Sequence, residues 1–223
     1  KTPHQLVMTA TPIPRSLTMS AYADLDTSVI DELPPGRQKI KTVALSNNRR
    51  DELIEKIKQI SNEGRQIYWV CTLIEESEAL RAESAENTFN YLSSNLEGIK
   101  VVMIHGRLTK SEKEEIMNDF VEGRIDLLVA TTVIEVGVNV PNASLMIVEN
   151  AERLGLAQLH QLRGRVGRGT EKSACVLMYQ SPLSESAKQR LEILRQSHDG
   201  FVIAEKDLEL RGPGEILGTQ QTG

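Results

Sequence analysis

Short apolar runs that alternate with amphipathic stretches are the feature that most restricts how this chain can fold. Five runs of four to six residues are rich in Val, Ile and Leu, at 67–71, 101–104, 127–131, 144–148 and 174–179. Helical periodicity is found around and between them, at 49–60, 75–96, 111–120 and 156–162. Strands that are apolar on both faces and alternate with helices are typical of a parallel sheet covered by helices on both sides. The sequence therefore predicts an α/β fold with such a sheet.

The same patterns divide the chain into three parts. The α/β pattern covers 39–180, and the segment 1–38 contains a Pro34-Pro35-Gly36 turn, which is typical of a connector leading out of a preceding sheet domain. The strand pattern ends before 181–223, where a helical hairpin and a glycine-rich tail are predicted. The two helices of the hairpin are predicted at 184–196 and 201–210. Because the chain does not start at a methionine, we interpret it as a segment of a longer protein.

Composition excludes several classes of protein. Of the 223 residues, 39% are hydrophobic and 26% are charged with a net charge of -5, which is typical of a globular protein with a sizeable core. No apolar run approaches the ~18 residues of a membrane span, so no membrane partner is expected. Cys71 and Cys175 lie in apolar runs and are predicted to be buried, reduced thiols of a cytoplasmic protein. His4, His160 and His198 show no metal-ligand spacing with Cys or Glu, so no metal site is predicted.

A cluster of arginines is the strongest functional signal. Four arginines and no acidic residue fall within one stretch of this acidic chain: Arg153, Arg163, Arg165 and Arg168. Glycines at 164, 167 and 169 allow the backbone to approach a ligand, and Arg165 and Arg168 are spaced to reach one anionic target. Because one guanidinium group can donate hydrogen bonds to two oxygens of the same phosphate, the stretch predicts a phosphate-binding site. The alternative is a solvated basic helix end beside a glycine cap.

The segment 161–168, which reads QLRGRVGR, resembles the sixth motif of superfamily 2 helicases, QxxGRxGR. The resemblance implies a RecA-like fold of the P-loop NTPase type. It also implies that the motif lies on the second of two such domains and faces ATP held by the first. Arg165 and Arg168 are then expected to be catalytic arginine fingers on the β- and γ-phosphates, and Gln161 is expected to contact ATP.

Two further segments resemble motifs of the same helicases in the same order. The segment 9–15, TATPIPR, is similar to the third motif, which implies that Thr9 and Thr11 couple the ATP state to DNA. The segment 130–141 is similar to the fifth motif. Thr131 and Thr132 end a predicted strand there, where open α/β sheets bind ligands, and their hydroxyls suit nucleic-acid phosphates. Taken alone, such a threonine pair is also typical of a turn or a helix cap.

Within the fifth motif, Gly137 and Asn139 are expected to contact ATP. The helicases usually carry aspartate at the position of Asn139, implied to contact the ribose; asparagine keeps the oxygen acceptor and loses the charge. Asn139 therefore either binds the ribose or caps a turn. His105 and Gly106 resemble a small HG element of these helicases and are expected at the DNA. The alternative for this pair is a polar strand end followed by a turn glycine.

Three longer segments, 23–37, 151–169 and 199–223, narrow the resemblance to the RecG-type family of bacterial helicases, which remodel stalled forks and other branched DNA. The last segment resembles the family's translocation element, a helical hairpin and loop. The resemblance implies that Arg211, Gln220 and Gln221 couple domain closure to movement along duplex DNA. The alternative for this tail is a hairpin that packs on the sheet and ends in a flexible segment.

The chain lacks the residues that would complete an ATP site. It contains no GxxxxGK[ST] motif, and Asp31-Glu32-Leu33 only superficially resembles the magnesium-binding acidic box, because it follows the third motif and precedes two prolines. The resemblance therefore implies that ATP and Mg²⁺ are bound only in the full-length protein, which also contains a first motor domain and an N-terminal wedge. The partner is expected to be branched duplex DNA. Alone, the chain is expected to hold no cofactor and to be inactive.

Two other interpretations remain open on the sequence. The transcription-repair coupling factor family, whose members are translocases that act on stalled RNA polymerase, shares the run 156–168 and a similar glycine-containing tail. A non-catalytic α/β module that uses its arginines to bind phosphate or nucleic acid is the alternative from a different class. The sequence upstream of the chain would separate the first from the RecG-type family, and a nucleotide titration would test the second.

Overall fold

The computed structural model of the chain describes residue 28 and residues 38–72, 78–131, 140–169 and 171–211. Within them the chain forms six β-strands: β1 Lys41–Ser46, β2 Gln66–Cys71, β3 Val101–Ile104, β4 Leu127–Thr131, β5 Ala143–Glu149 and β6 Ala174–Tyr179. It also forms six α-helices: α1 Arg50–Asn62, α2 Glu78–Asn95, α3 Lys110–Val121, α4 Leu156–Arg163, α5 Glu185–Gln196 and α6 Gly200–Arg211. Short 3₁₀ helices, Asn47–Arg49 and Ala151–Arg153, follow β1 and β5.

The strands form one sheet in the order β1-β6-β5-β2-β4-β3, and every neighbouring pair is parallel. The predicted α/β fold with a parallel sheet is therefore confirmed. All five predicted strands are present, as β2 to β6. The predicted helices match α1 to α6 to within a few residues at each described end.

β1 is not among the predicted strands. Its sequence, KTVALS, mixes apolar residues with Lys, Thr and Ser. It lies at one end of the strand order, beside β6, and of its six residues only Leu45 is buried. An edge strand with this little burial has no need of a continuous apolar run, so the feature that identifies the other strands is missing here.

Alternate side chains of the central strands enter two separate hydrophobic cores. On one face, Trp69 and Ile147 pack with the apolar residues of α1 and α2. On the other face, Tyr68 and Met146 pack with those of α3, α4, α5 and α6. Burial of both faces explains why β2 and β4 read as unbroken apolar runs. The prediction that helices cover both sides of the sheet is confirmed.

Side-chain caps fix where two of the helices begin. At α3, Thr109 Oγ1 accepts a hydrogen bond from the Glu112 backbone N–H at 3.3 Å, and the Glu112 carboxylate accepts one from the Thr109 N–H at 2.7 Å. The hydrogen bonds from Thr109 lower the pKa of Glu112. At α5, Ser184 Oγ accepts from the Ala187 N–H at 3.2 Å. These caps satisfy backbone donors that the first helical turn leaves without partners.

Both cysteines are buried and free, as predicted. Burial raises the pKa of the Cys71 thiol and raises that of Cys175 to about 12. Since the thiolate is the reactive form, neither side chain is expected to react at neutral pH. Over the described ranges, no helix combines the length and the apolar character that crossing a bilayer requires.

Candidate functional site

A short loop at the carboxyl end of α4 carries the two predicted catalytic arginines. We call residues 164–169 the arginine loop. The helix before it begins after Gly155 and buries Leu156, Leu159 and Leu162 against the sheet. Because this apolar stripe fixes the rotation and height of α4, it also fixes where the helix ends and the loop begins.

The backbone of the arginine loop is wedged against its neighbours. Gly167 has a φ of +72°, and a Cβ atom there would lie 2.8 Å from Cγ1 of Ile40. At Gly169 a Cβ atom would lie 2.7 Å from the carbonyl oxygen of Pro141. Val166, between them, is fully buried. Both glycines are therefore required by close approach, and the loop they form is firmly held.

This packing places the arginine loop at the amino edge of the sheet, because Ile40 directly precedes β1 and Pro141 lies two residues before β5. Arg165 is half-buried and Arg168 is exposed; Arg168 Nε donates to the Gly164 carbonyl at a long 3.4 Å. Burial raises the pKa of Tyr68 in β2 to about 12, and the positive charges of Arg165 and Arg168 oppose the rise. Both guanidinium groups are therefore close enough to β2 for their charges to act on Tyr68.

Arg163 has a different role from the two loop arginines. Its side chain is buried, and Nη1 donates to the carbonyl oxygens of Leu194 and Ser197, both at 2.8 Å. Its Nη2 lies 2.8 Å from His160 Nδ1. Arg163 thus joins α4 to the end of α5 and does not point to a phosphate site. Arg153, in the 3₁₀ helix after β5, lies at the opposite edge of the sheet. The four arginines of the sequence cluster therefore lie in three places, and only Arg165 and Arg168 share the arginine loop.

His160 is held in its neutral form by the same contacts. Burial is the largest cause and the Arg163 charge the second, and together they lower the pKa of His160 to about 4. The neutral ring can then accept the hydrogen bond of Arg163 through Nδ1. His160 is therefore part of the contact between α4 and α5. Across the described ranges, no group of three or more His, Cys, Asp or Glu side chains is placed to hold a metal ion.

Acid is expected to destabilise this contact. The pKa of His160 lies near 4 in the folded chain and near 6.5 when unfolded, so protons favour the unfolded state once the pH falls below about 6.5. The melting temperature of the chain should therefore fall as pH drops from about 6.5 toward about 4. The fall should be smaller in His160→Gln, whose amide oxygen accepts from Arg163 without titrating. Equal falls in the two proteins, measured by thermal melts across this range, would contradict the assignment.

The predicted DNA-binding residues that the structure describes lie at the carboxyl edge. Ile104 and Ala130 are register partners in β3 and β4, so the residues that follow them, His105 and Thr131, are neighbours. Thr131 is buried and His105 is half-buried. The carbonyl of Gly106 accepts a hydrogen bond from Lys113 Nζ at 2.9 Å. The structure therefore brings this group together and separates it from the arginine loop by the length of the strands.

The remaining predicted site residues divide into described and undescribed positions. Gln161 is exposed on α4, and Arg211 is the last residue of α6. The others lie outside the described residues: Thr9, Thr11, Thr132, Gly137, Asn139, Gln220 and Gln221. Their predicted roles in nucleotide binding, DNA binding and coupling stay predictions.

A partly buried polar network at the carboxyl edge was not predicted. Glu149, the last residue of β5, accepts hydrogen bonds from Arg50 Nη2 at 2.6 Å, Trp69 Nε1 at 3.0 Å and Thr88 Oγ1 at 3.2 Å. The Arg50 guanidinium lies 5.1 Å from the centroid of the Trp69 ring and 4.9 Å from that of Tyr91. The network joins β2 and β5 to α1 and α2. The signal available in the sequence is an acidic residue that ends an otherwise apolar strand.

Comparison with known proteins supplies the family context. The helicase conserved C-terminal domain family matches residues 45–170, and the family described as ATP-dependent DNA helicase RecG, domain 3, C-terminal matches residues 197–223. The chain is 64% identical over 222 residues to the ATP-dependent DNA helicase RecG of Escherichia coli (strain K12). It is 47% identical over 222 residues to that of Bacillus subtilis (strain 168). Each alignment covers 99% of this chain and 32% of the relative, so the chain spans about a third of the length of these relatives.

Solved structures agree with this relationship. A structure of RecG bound to a three-way DNA junction matches with a TM-score of 0.78 and 47% identity, over 93% of this chain and 27% of the other. Saccharomyces cerevisiae Dbp5 bound to RNA and ADP BeF3 matches with a TM-score of 0.55 over 86% of this chain and 48% of the other. At 17% identity, the second match shows a shared fold only.

Proposed function

Because the chain belongs to the helicase conserved C-terminal domain family and is similar over 99% of its length to RecG helicases, we propose that it is the second motor domain of a RecG-type ATP-dependent DNA helicase. In the full-length protein it would face a first motor domain that carries the P-loop. The hairpin of α5 and α6 would begin the translocation element. The observation that carries the proposal is the arginine loop, whose backbone is wedged against Ile40 and Pro141 at the amino edge.

The arginine loop suits the phosphates of ATP. A guanidinium group can donate hydrogen bonds to two oxygens of the same phosphate, and it stays charged at every physiological pH. Arg165 and Arg168 lie in a loop whose backbone is closely packed at Gly167 and Gly169, so the loop backbone is in position before ATP arrives. ATP hydrolysis supplies the free energy for movement along DNA. In this process the two arginines would bind the γ-phosphate and stabilise the charge that develops on it.

Mg²⁺ would be held elsewhere in the full-length protein. Hard cations of this kind prefer carboxylate and phosphate oxygens. Within the described ranges no cluster of acidic side chains is placed for a metal ion, and the arginine loop offers only positive charge. The residues therefore fit a role in which this domain contributes arginines to the ATP site, and the first motor domain contributes the P-loop and binds Mg²⁺.

The carboxyl edge suits a DNA backbone. Thr131 and His105 are neighbours there, and Gly106 is exposed beside them. Arg107 and Lys110, at the start of α3, are also exposed and add positive charge to this edge. Contacts of this kind to phosphates position a protein on DNA without reading its sequence. Since a RecG relative binds a three-way DNA junction, we propose that the full-length protein remodels branched duplex DNA, including stalled forks and Holliday junctions, in repair and recombination, with a wedge domain separating the strands.

The match at the end of the chain favours the RecG-type family over the coupling-factor family. Residues 197–223 match a RecG-specific family, and the two relatives described above both carry the RecG name. The translocation element would then act in unwinding rather than on RNA polymerase. A non-catalytic binding module is disfavoured by the identity of 64% to a helicase across the whole α/β domain and hairpin.

Isolated from the preceding motor domain, the chain is expected to show no DNA-stimulated ATP hydrolysis and only weak DNA binding. It has no P-loop, and its contacts to DNA would be made mostly to phosphates, so binding should weaken steeply as salt rises. ATP turnover and fluorescent-nucleotide binding should be measured on the isolated chain and on the full-length protein. Catalysis and tight nucleotide binding are expected in the full-length protein alone.

The isolated chain carrying Arg168→Ala is the matched control for this measurement. Any turnover that persists in this variant comes from a contaminating ATPase. Robust turnover by the isolated chain that disappears in Arg168→Ala would show that one domain is sufficient and would contradict the half-site argument. A full-length protein that hydrolyses no ATP on any DNA would contradict the proposed function itself.

A further inference from the structure

A buried glutamine at the start of β2 ties together the loops at the amino edge of the sheet. Gln66 is 3% exposed, although glutamine is usually found at the surface. Its Nε2 donates to the carbonyl oxygens of Phe120 and Ile125, the second at 2.7 Å. Phe120 lies in the last turn of α3, and Ile125 lies in the connection from α3 to β4. A buried amide with two backbone partners fixes that connection against the first residue of β2.

The same glutamine holds the segment before β5. Asn142 Nδ2 lies 3.4 Å from Gln66 Oε1, and it donates to the Gly64 carbonyl at 2.8 Å. The backbone N–H of Gln66 donates to the Asn142 carbonyl at 3.2 Å. Asn142 is therefore bound through its side chain and its backbone, and the residue before it, Pro141, can move little.

Pro141 connects this network to the arginine loop. A Cβ atom on Gly169 would lie 2.7 Å from the Pro141 carbonyl oxygen, so the end of the loop rests directly on this carbonyl. Val140, on the other side of Pro141, is buried in the same core as Val166 of the loop. A shift of Pro141 would therefore move the backbone that carries Arg165 and Arg168.

We propose that Gln66 is a positioning residue for the two loop arginines, acting through Asn142 and the carbonyl of Pro141. The assignment rests on the proposed function, because it gives Gln66 a role in ATP hydrolysis without contact with ATP. Misplacement of a catalytic group by ~1 Å can lower a rate by ~10²-fold. An effect of this kind alters the catalytic rate and leaves DNA binding at the opposite edge unchanged.

The test uses the full-length protein carrying Gln66→Met, which keeps the side-chain length and removes the amide nitrogen and oxygen. We expect kcat for DNA-stimulated ATP hydrolysis to fall about 10-fold or more, with the DNA dissociation constant within about 2-fold of wild type. Thr88→Val is the matched control, since it removes one buried hydroxyl donor at the other edge of the sheet. This control is expected to lower the melting temperature and to leave kcat within about 2-fold of wild type. A folded Gln66→Met protein with unchanged kcat, or an equal loss of kcat in Thr88→Val, overturns the assignment.

A second pair of variants tests the route even where Gln66→Met does not fold. Asn142 is exposed, so Asn142→Ala should fold, and Gly169→Ala places a methyl group against the Pro141 carbonyl. If Asn142 restrains Pro141, Asn142→Ala releases this restraint, and the segment before β5 can move away from the added methyl group. The fold-loss of kcat in the double variant is then smaller than the product of the fold-losses in the two single variants. Losses that multiply show independent sites and overturn the assignment. If the wild-type protein hydrolyses no ATP, the proposed function and the role of Gln66 are overturned together. If the wild-type protein is active and the kcat losses of the single variants multiply in the double variant, the role of Gln66 alone is overturned.

Discussion

Replacing Arg168 by alanine in the full-length protein is expected to lower kcat for ATP hydrolysis about 10³-fold or more, with a much smaller loss of DNA affinity. Under the proposed function, the guanidinium group would act where negative charge develops on the γ-phosphate during hydrolysis. Its position at the amino edge, away from Thr131 and His105, separates this role from DNA binding. Arg165→Ala is expected to behave in the same way. Steady-state ATPase and DNA-binding titrations on the same preparations provide both quantities.

Two further variants sharpen this test. Arg168→Lys keeps the positive charge but loses the two parallel N–H donors of the guanidinium group. Its kcat should therefore lie between that of Arg168→Ala and that of wild type. Arg153→Ala removes an exposed arginine from the same stretch of sequence, at the opposite edge of the sheet, and should leave kcat close to wild type. Equal losses of DNA binding and hydrolysis in Arg168→Ala would assign the arginine loop to the nucleic-acid surface and not to ATP.

The fold was largely predictable because most of its strands are buried on both faces. A strand such as β2, with six buried residues in succession, leaves an apolar run that no other element of this length requires. β1 escapes this criterion, because its position at the edge of the sheet leaves Lys41 exposed and Thr42 half-buried. β3, at the other edge, is no more buried but is apolar throughout, so the pattern predicts it and misses only the edge strand of mixed composition.

The site was predictable to the extent that it depends on local sequence. Glycines that alternate with Arg165 and Arg168 indicate a tight loop near an anion; the structure shows the tight packing, and the anion stays a prediction. The fate of Arg163 depends on distant residues, since its acceptors, Leu194 and Ser197, lie 31 and 34 positions along the chain. No local pattern distinguishes a buried arginine with such partners from one that meets phosphate.

The same limit applies to the two polar networks. Gln66 finds its carbonyl acceptors 54 and 59 residues away, and Glu149 finds Arg50 at a separation of 99 residues. These contacts exist because parallel strands bring distant segments to the same edge of the sheet. A single polar residue at the beginning or end of an apolar strand is the available signal, and it names neither the partner nor the role.

The separation of the two edges has a mechanical consequence for the proposed function. The arginine loop lies at the amino edge, and Thr131 and His105 lie at the carboxyl edge, so closure around ATP would have to be transmitted across the domain. Arg163 provides one rigid connection, because it bonds α4, which carries the loop, to the carboxyl end of α5. Asp199 continues this connection, since its carboxylate accepts from the Phe201 N–H at 2.8 Å at the start of α6. The start of α6 is therefore connected to the helix that precedes the arginine loop.

Replacing Arg211 or Gln220 by alanine in the full-length protein is expected to leave ATP hydrolysis largely intact and to abolish unwinding of branched DNA. Arg211 ends α6, and the segment after it contains glycines at 212, 214 and 218 with Pro213, a composition typical of a hinge. Gln220 lies outside the described residues, close to this segment in sequence. A hinge that transmits domain movement to DNA is needed for unwinding but not for ATP hydrolysis. The amount of DNA unwound per ATP hydrolysed should therefore fall.

Glu209→Ala is the matched control for this last test, because Glu209 is exposed on α6 two residues before Arg211 and forms a surface ion pair with Lys206 at 2.6 Å. Exposed pairs of this kind contribute little to stability, about 1 kcal/mol or less, so both activities should survive the change. ATPase and branched-DNA unwinding are measured on the same preparation of each variant. Parallel loss of both activities in Arg211→Ala would show that the tail stabilises the domain, and loss of neither would show that it takes no part in transmission.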